Sequence, residues 1–282
     1  MIRDHLPKPI SGIGITLRDL GDIVIYTHSD DITAVANMEE GNAIDQLSLF
    51  IDQVATRFPI VMVDVGCNYG VQLCRMAHHI KQVTKNFKII ALDPGRAAEL
   101  LPYTLLKNNI ADDVEFIPAA AWKESGVVEV FSEEGNSLNN RIVKGGATIG
   151  WIAPAVTLAQ IFDECELDPA APIFAKIDTQ GADLEVLLGA GDYLSRLVCV
   201  TELTPWACGD RIDVTAFIEN LKRSHWIYNL SPLRDICEPV DDSAEFVKTV
   251  YETAPYWTDI LCVPRRFSWL LDSMPAVVAE VA

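Results

Sequence analysis

The fold of this chain is decided by the stretch Ile60-Val61-Met62-Val63-Asp64-Val65-Gly66-Cys67-Asn68-Tyr69-Gly70. Its apolar run predicts a buried strand, and its two glycines predict a tight turn with little side-chain bulk. A helical pattern of apolar residues begins at Val71, so the turn leads into a helix N-terminus. A strand, a glycine turn and a helix N-terminus in this order bring a nucleotide-like ligand against bare backbone.

Strands and helices alternate along the chain after this stretch. The alternation is typical of a doubly wound, mainly parallel α/β sheet that is covered by helices on both faces. Ligands of such sheets bind at the carboxyl ends of the strands. The predicted strands are Ile60–Val65, Lys88–Leu92, Val114–Pro118, Ile173–Asp178, Leu197–Leu203, Trp226–Leu230 and Asp259–Val263, and the predicted helices are one from Val71 and those at Ala97–Asn108, Leu158–Cys165, Asp183–Ala190 and Asp213–Ser224.

Two regions depart from this alternation. Residues 1–58 contain two short apolar runs, Ile13–Leu17 and Ile23–Tyr26, and then apolar residues at helical spacing from Ile44 to Phe58. They predict a hairpin and a helix that form an N-terminal extension packed on a core domain of residues 59–282. Residues 119–156 are less regular, with several glycines and a hairpin-like run at Val127–Phe131. We expect this section to shape a substrate pocket.

The composition restricts the partners of the protein. A net charge of −18 at pH 7 repels nucleic acid and anionic membranes, so neither is expected as a partner. A small neutral or cationic molecule fits this charge better. The seven cysteines show no C-x-x-C or zinc-type spacing, so we expect reduced thiols and no metal site. The sequence shows neither a signal peptide nor a membrane-length apolar run, which predicts a cytoplasmic protein.

Carboxylates at two predicted strand ends are the first candidates for ligand binding. Asp64 ends the first core strand, beside a turn in which Gly66 and Gly70 allow close approach to the main chain. Its carboxylate can accept hydrogen bonds from an ammonium group, and Asn68 can donate or accept within the turn. Asp93 ends the second strand, where a carboxylate can accept hydrogen bonds from both hydroxyls of a ribose. The structural alternatives are a capped turn and an exposed turn residue, but the two signals together predict an adenosine-containing ligand.

A third group of polar residues follows the later strands, in the segment Lys176-Ile177-Asp178-Thr179-Gln180-Gly181-Ala182-Asp183. In the predicted topology the strand that ends at Asp178 lies beside the first strand, so this carboxylate is expected to face the reacting group. The alternatives are a helix-capping acid at Asp178 and a solvated first-turn residue at Asp183. Glu202, which ends the next strand, and His225 are further candidates for a general base. Dipole complementation at a helix C-terminus explains His225 equally well.

In content and order, these motifs resemble those of FkbM-type methyltransferases. The resemblance covers about half the chain, residues 60–203, and the Lys-Ile-Asp-x-x-Gly block at 176–181 is its most specific part. It implies the class I, Rossmann-like fold with a seven-stranded sheet, S-adenosylmethionine as cofactor, and O-methylation of a hydroxyl on a sugar or natural-product acceptor. The cofactor positions that we expect from the matching motifs are Asp64, Gly66, Cys67, Asn68, Tyr69, Gly70, Asp93 and, near the adenine, Ala120.

On this interpretation Asp178 is the preferred base for the acceptor hydroxyl, and Glu202 is the second catalytic candidate. Gln180 and Asp183 depart from the resemblance, because the family usually carries Glu at both positions. A non-catalytic protein that retains the cofactor pocket therefore stays open as an alternative. A nicotinamide-dependent oxidoreductase also stays open, because Asp93 suits the ribose of NAD. A metal-assisted sugar methyltransferase would use Asp178 and nearby carboxylates.

Overall fold

The computed structural model describes residues 14–31, 33, 42–133, 136–141, 149–230 and 237–274. Its strands and helices form three sheets with helices around them. Short 3-10 helices lie at Arg96–Glu99, Gly191–Arg196, Gly209–Arg211 and Arg265–Ser273. In chain order the other elements are β1 (Ile15–Asp19), β2 (Val24–His28), α1 (Asn42–Ala55), β3 (Ile60–Val65), α2 (Val71–Val83), β4 (Phe87–Leu92), α3 (Leu101–Lys107), β5 (Val114–Ile117), β6 (Ala120–Ala121), β7 (Gly126–Glu133), β8 (Asn136–Arg141), β9 (Ile149–Val156), α4 (Leu158–Asp163), β10 (Ile173–Ile177), α5 (Asp183–Leu188), β11 (Leu197–Leu203), α6 (Pro205–Cys208), α7 (Val214–Lys222), β12 (His225–Asn229), β13 (Glu238–Pro239), α8 (Ser243–Glu252) and β14 (Thr258–Pro264).

The main sheet has the strand order β13-β12-β14-β11-β10-β3-β4-β5. Strands β11, β10, β3, β4 and β5 pair in parallel, and β14 runs antiparallel to both of its neighbours. The strand order reverses between β3 and β10, so the predicted doubly wound α/β fold is confirmed. The described part of this sheet has eight strands and not seven, because Glu238 and Pro239 add the short edge strand β13.

The apolar run of β3 is buried on both faces of the sheet. Ile60 and Met62 contribute to a core cluster with residues of α1 and α2. Val61 and Val63 contribute to a second cluster with residues of α4, α5 and α7. A parallel strand covered on both sides loses the alternation of polar and apolar residues that marks a half-exposed strand. This burial explains why β3 is a continuous apolar run with a single acid.

The section that the sequence predicts to be less regular forms a second sheet. Its strand order is β6-β9-β7-β8, in which β9 is parallel to β6 and antiparallel to β7. One face of this small sheet carries Val128, Val130 and Ala153, which pack against Trp122. The predicted hairpin-like run at 127–131 lies within β7. Gly135, Gly145 and Gly146 lie outside the described residues.

The N-terminal hairpin and helix pack on the main sheet and its helices. Strands β1 and β2 pair antiparallel around the predicted turn, although Ile13 lies outside the described residues. Val24 N donates to Asn108 Oδ1 at 2.9 Å, and Asn108 Nδ2 donates to Val24 O at 2.6 Å, which fixes the hairpin to the end of α3. Leu47 and Phe50 of α1 are fully buried in the core. The domain boundary at residue 58 stays a prediction.

The structure shows the state of the cysteines and the character of the helices, for which the sequence predicts reduced thiols and no membrane span. All seven cysteines are free thiols. Burial raises the pKa of the Cys74 thiol to about 12, so this group is protonated and unreactive at neutral pH. Among the described helices, none has both the length and the apolar character that crossing a membrane requires.

Candidate active site

The first turn, residues 66–70, is built around backbone conformations that favour glycine. Gly66 and Gly70 have φ angles of 81° and 86°. A Cβ atom at Gly66 would lie 1.9 Å from the carbonyl oxygen of Asp178, so no side chain fits there. Gly66 N donates to Leu92 O at 2.8 Å, and Asp178 N donates to Val65 O at 2.9 Å. The first turn is therefore seated directly on the loop that follows β10.

The contact between Gly66 and Asp178 gives a stability prediction. Replacing Gly66 by Ala is expected to lower the free energy of unfolding by about 3 kcal/mol or more, because a left-handed residue acquires a Cβ and that Cβ meets main-chain atoms. Gly21→Ala is the matched control, since Gly21 also has a positive φ of 88° but a Cβ there would meet nothing within 4 Å. It should cost only about 1 kcal/mol. Urea denaturation measures both, and equal losses would contradict the steric argument.

The second turn, residues 93–95, is joined to the first by the carboxylate of Asp93. Asn68 N donates to Asp93 Oδ2 at 2.8 Å, and Gly95 N donates to Asp93 Oδ1 at 2.6 Å. The alternative of an exposed turn residue is wrong, because Asp93 is only 6% exposed. Burial raises the pKa of Asp93, and the two backbone N–H groups oppose that shift. Each carboxylate oxygen keeps a further lone pair for a ligand hydroxyl.

Asp64 provides a buried acceptor that lacks a partner in the described part of the protein. The residue is 2% exposed, and its Oδ1 atom accepts no hydrogen bond there. Burial raises the pKa of Asp64 to about 6, although the positive charge of Lys176 opposes the shift. The Oδ1 atom of Asn68 is a second buried acceptor without a partner in these ranges. Because buried acceptors are normally satisfied, this pair fits a ligand that carries hydrogen-bond donors such as an ammonium group.

The carboxyl ends of β10 and β11 carry a connected polar network. Lys176 Nζ lies 3.1 Å from Asp178 Oδ2, and Gln180 Nε2 donates to Asp178 Oδ1 at 3.0 Å. The same amide nitrogen lies 3.4 Å from Glu202 Oε2. Thr204 Oγ1 donates to the other Glu202 oxygen at 2.6 Å. The structure therefore brings Asp178 and Glu202 together, with Gln180 as a neutral donor between the two carboxylates.

Lys176 is a further member of the site, in addition to the residues predicted from the sequence. It pairs in register with Asp64 of β3 and forms an ion pair with Asp178. Burial alone would lower the pKa of Lys176, but Asp178 and Asp64 outweigh it, so the ammonium stays charged. The signal was present in the sequence, because residues 176 and 178 are two apart at a strand end and so point to the same face.

Asp183 shapes the loop between β10 and α5. The alternative of a solvated first-turn residue is wrong, because Asp183 is 1% exposed. Its carboxylate accepts hydrogen bonds from Thr179 N and Gly181 N, both at 3.0 Å. Burial raises its pKa to about 7, and the charge of Asp178 adds to the shift. Burial also raises the pKa of Glu202 well above its usual range, with Asp178 again contributing.

Comparison with known proteins identifies the family to which this site belongs. The model of the methyltransferase FkbM domain matches residues 64–224, which is more than half of the chain. The chain belongs to the FkbM methyltransferase family. S-adenosylmethionine is therefore its cofactor. The residues present fit this molecule. The unpartnered acceptor of Asp64 suits its ammonium group, and the Asp93 carboxylate suits its ribose hydroxyls. The first turn has no side-chain bulk that would keep the ligand from the main chain.

Solved structures show only a loose likeness to this FkbM methyltransferase. Methyltransferase FkbM from Methylobacillus flagellatus KT is 17% identical with a TM-score of 0.44, and the match covers 72% of this chain but only 43% of that protein. An O-methyltransferase from Bacillus cereus in complex with SAH is 13% identical (TM-score 0.42, coverage 82% and 87%). An rRNA methylase from Streptococcus thermophilus is 13% identical (TM-score 0.40, coverage 79% and 97%). The search of curated proteins found no match.

Two further sequence candidates of this FkbM methyltransferase, His225 and Tyr69, lie in different places. His225 is buried at the start of β12, where Ser224 Oγ and Leu194 O contact its ring nitrogens at 2.8 and 3.0 Å. It pairs with Pro264 of β14, at the opposite edge of the sheet from Leu203 and Thr258, so the expectation of a base at His225 is wrong. The hydroxyl of Tyr69 faces away from the turn and donates to Asp31 Oδ2 at 2.6 Å.

Cys67 and Ala120, the other two sequence candidates of the FkbM methyltransferase, are both buried. Burial raises the pKa of the Cys67 thiol well above its usual range, so the group is a neutral filler of the first turn. Ala120 lies in β6 within the apolar cluster of the small sheet, which includes Ala182 at the start of α5. Cofactor contact at Cys67, Tyr69 and Ala120 stays a prediction.

Proposed function

We propose that this FkbM methyltransferase transfers a methyl group to a hydroxyl of a sugar or natural-product small molecule. The observation that carries the proposal is the position of the Asp178 carboxylate at the strand-order switch. Its side chain is 32% exposed, and Lys176 and Gln180 hold its two oxygens from the protein side. The adjacent strand β3 carries Asp64 and the first turn. A carboxylate is thus fixed beside the cofactor turn with part of its surface open to an acceptor.

The proposed division of labour follows from the chemistry of the transfer. Bound S-adenosylmethionine supplies an electrophilic methyl group on its sulfonium, so the protein has to position the acceptor and take its proton. Asp178 accepts the proton of the acceptor hydroxyl, and Lys176 provides a permanent positive charge next to the carboxylate. Glu202 accepts a hydrogen bond from Thr204 Oγ1 at 2.6 Å and lies 3.4 Å from Gln180 Nε2, so it is assigned a positioning role for the acceptor.

Two aromatic residues at the same edge support a ring-shaped acceptor. Trp206 follows β11 and is 49% exposed, and Tyr256 precedes β14 and is also 49% exposed. The first residue of β14, Thr258, pairs with the last residue of β11, Leu203, so both aromatics lie near the carboxyl end of β11. Half-exposed aromatic side chains provide stacking surface with a polar end. By contrast, the ring of Trp226 is covered by the guanidinium of Arg265 at 4.0 Å.

Gln180, which stands where the family usually carries Glu, is compatible with the proposed catalysis. Its amide donates toward both Asp178 and Glu202, which a glutamate could not do in its ionised form. Within the described ranges, no three His, Cys, Asp or Glu side chains are grouped to hold a metal ion. The roles proposed for Asp178, Lys176 and Glu202 do not require a metal.

Methyl transfer from isotopically labelled cofactor tests the proposal. Hydroxylated sugars and natural products form the acceptor panel, and each is paired with its analogue in which the hydroxyls are already O-methylated. We expect label on at least one free hydroxyl and none on the blocked analogue. Label found instead on an amine, a thiol or RNA would contradict the proposal, while leaving the methyltransferase family unaffected.

A further inference from the structure

The small sheet contacts both of the turns to which the cofactor is assigned. Asn68 Nδ2 donates to Ser137 O at 3.3 Å and to Ser137 Oγ at 3.4 Å, which joins the first turn to β8. Trp151 Nε1 of β9 donates to Pro94 O at 3.2 Å, which joins the second turn to the same sheet. Strands β8 and β9 therefore lie beside the edge where S-adenosylmethionine is expected.

Asn140 of β8 lies close to the Asp93 carboxylate, to which ribose binding is assigned. A Cβ atom at Gly95 would lie 2.4 Å from Asn140 Nδ2 and 2.9 Å from Asp93 Oδ1. The amide and the carboxylate thus meet at the same glycine, whose missing side chain makes room for both. In sequence the two residues are far apart, and only the fold of the small sheet brings them together.

A residue of the N-terminal extension fixes β8 in this place. Asp31 is 6% exposed and accepts hydrogen bonds from Tyr69 OH at 2.6 Å and from Ser137 N at 3.5 Å. Thr33 contributes two more, from its N at 3.0 Å and its Oγ1 at 2.8 Å. One buried carboxylate thereby holds the first turn and β8 together. Asn140 lies three residues after Ser137 in the same strand.

We infer that Asn140 is a cofactor-binding residue that holds the ribose of S-adenosylmethionine together with Asp93. The inference rests on the proposed place of the cofactor at the first and second turns. When both ribose hydroxyls donate to a carboxylate, their own oxygen lone pairs remain to be satisfied, and a carboxylate has no donor for them. The amide of Asn140, close to Gly95 and Asp93, supplies that donor. Asn140 and Asp93 are therefore chemically complementary partners for one pair of hydroxyls.

Titration calorimetry with S-adenosylhomocysteine and with its 2′,3′-dideoxy analogue tests the inference. Asn140→Ala is expected to weaken binding of S-adenosylhomocysteine about five- to tenfold, the effect of one lost neutral hydrogen bond, and to change binding of the dideoxy analogue less than about twofold. Asn140→Asp keeps the shape but replaces the donor by a charge next to Asp93, so it should weaken binding at least as much. Asn220→Ala, at an exposed position of α7, is the matched control and should match the wild type.

The outcomes separate this inference from the assignment of the cofactor site. Wild-type affinity in Asn140→Ala, together with weakened binding in Asp93→Ala, would overturn the role of Asn140 alone. Equal weakening for both ligands would also overturn it, because Asn140 would then act through the fold and not through the ribose. Wild-type affinity in both variants would overturn the site itself. Melting temperatures of the variants identify any loss of binding that comes from unfolding.

Discussion

Asp178→Asn is expected to lower kcat by about 10²- to 10⁴-fold, because a general base contributes that much to a proton-transfer step. The substitution preserves shape and leaves the main-chain bond from Asp178 N to Val65 O in place. The asparagine oxygen can still accept from Lys176 or Gln180, so the loop should keep its conformation. What is lost is the carboxylate oxygen that is proposed to take the proton of the acceptor hydroxyl. The affinity for S-adenosylhomocysteine should therefore stay within about threefold of wild type.

The measurement is the steady-state rate with an acceptor identified by the labelling experiment, together with calorimetry on the same sample. Asp112→Asn is the matched control, since Asp112 is an exposed aspartate before β5, away from the carboxyl edge of the sheet. Its kcat should equal that of the wild type. A kcat for Asp178→Asn within threefold of wild type would remove Asp178 as the base, whatever the cofactor affinity.

Asp93→Ala is expected to weaken binding of S-adenosylhomocysteine about 100-fold or more. The side chain holds Asn68 N and Gly95 N at 2.8 and 2.6 Å, so its removal loosens both turns and also removes the acceptor that is proposed for the ribose. A hydrogen bond to a charged group contributes about 1.5 to 3 kcal/mol. Loss of the two bonds expected from the ribose hydroxyls therefore exceeds the roughly 2.7 kcal/mol that corresponds to a 100-fold change in affinity. Titration calorimetry gives the affinity directly.

The control for the Asp93 variant has to separate ligand contact from turn geometry. Asp93→Asn keeps the volume and one acceptor oxygen but removes the charge, so its affinity should lie between those of the wild type and Asp93→Ala. Circular dichroism and thermal melting establish that both variants fold, because the alanine variant leaves two backbone donors without their partner. Binding by Asp93→Ala within threefold of wild type would show that the cofactor does not use this carboxylate.

The main sheet and its polar strand ends could be predicted from the sequence because the signals there are local. Strand β3 is an apolar run that ends in a glycine turn, and β4 and β10 end in Asp93 and Asp178. Once the strands are parallel, their carboxyl ends share one edge, so the meeting of these carboxylates follows without any knowledge of distant pairings. The burial of Asp93 and Asp183 did not follow, because it depends on the loops that cover them.

The remaining features depend on pairings between distant segments. Strand β9 is paired with β6 and β7 across a glycine-rich section. No regular alternation of apolar and polar residues in the sequence predicts which strands pair in that sheet. The position of His225 depends on β14 inserting antiparallel between β11 and β12, which places the start of β12 at the far edge. The burial of Lys176 could not be predicted, because lysine is usually a solvated residue. Here the carboxylates of Asp178 and Asp64 stabilise its charge inside the protein.

The close fit of Gly66 against the peptide oxygen of Asp178 has a consequence for inhibition. The turn after β3 and the loop after β10, which come from separate halves of the chain, are in direct contact there. Neither can shift toward the other without displacing it. On the proposed function, a compound that binds between them would displace both the turn expected to contact the cofactor and the proposed base, Asp178. Such a compound would impair cofactor binding and methyl transfer through one contact. Resistance could not arise by substitution of Gly66, because any side chain there would meet the Asp178 oxygen.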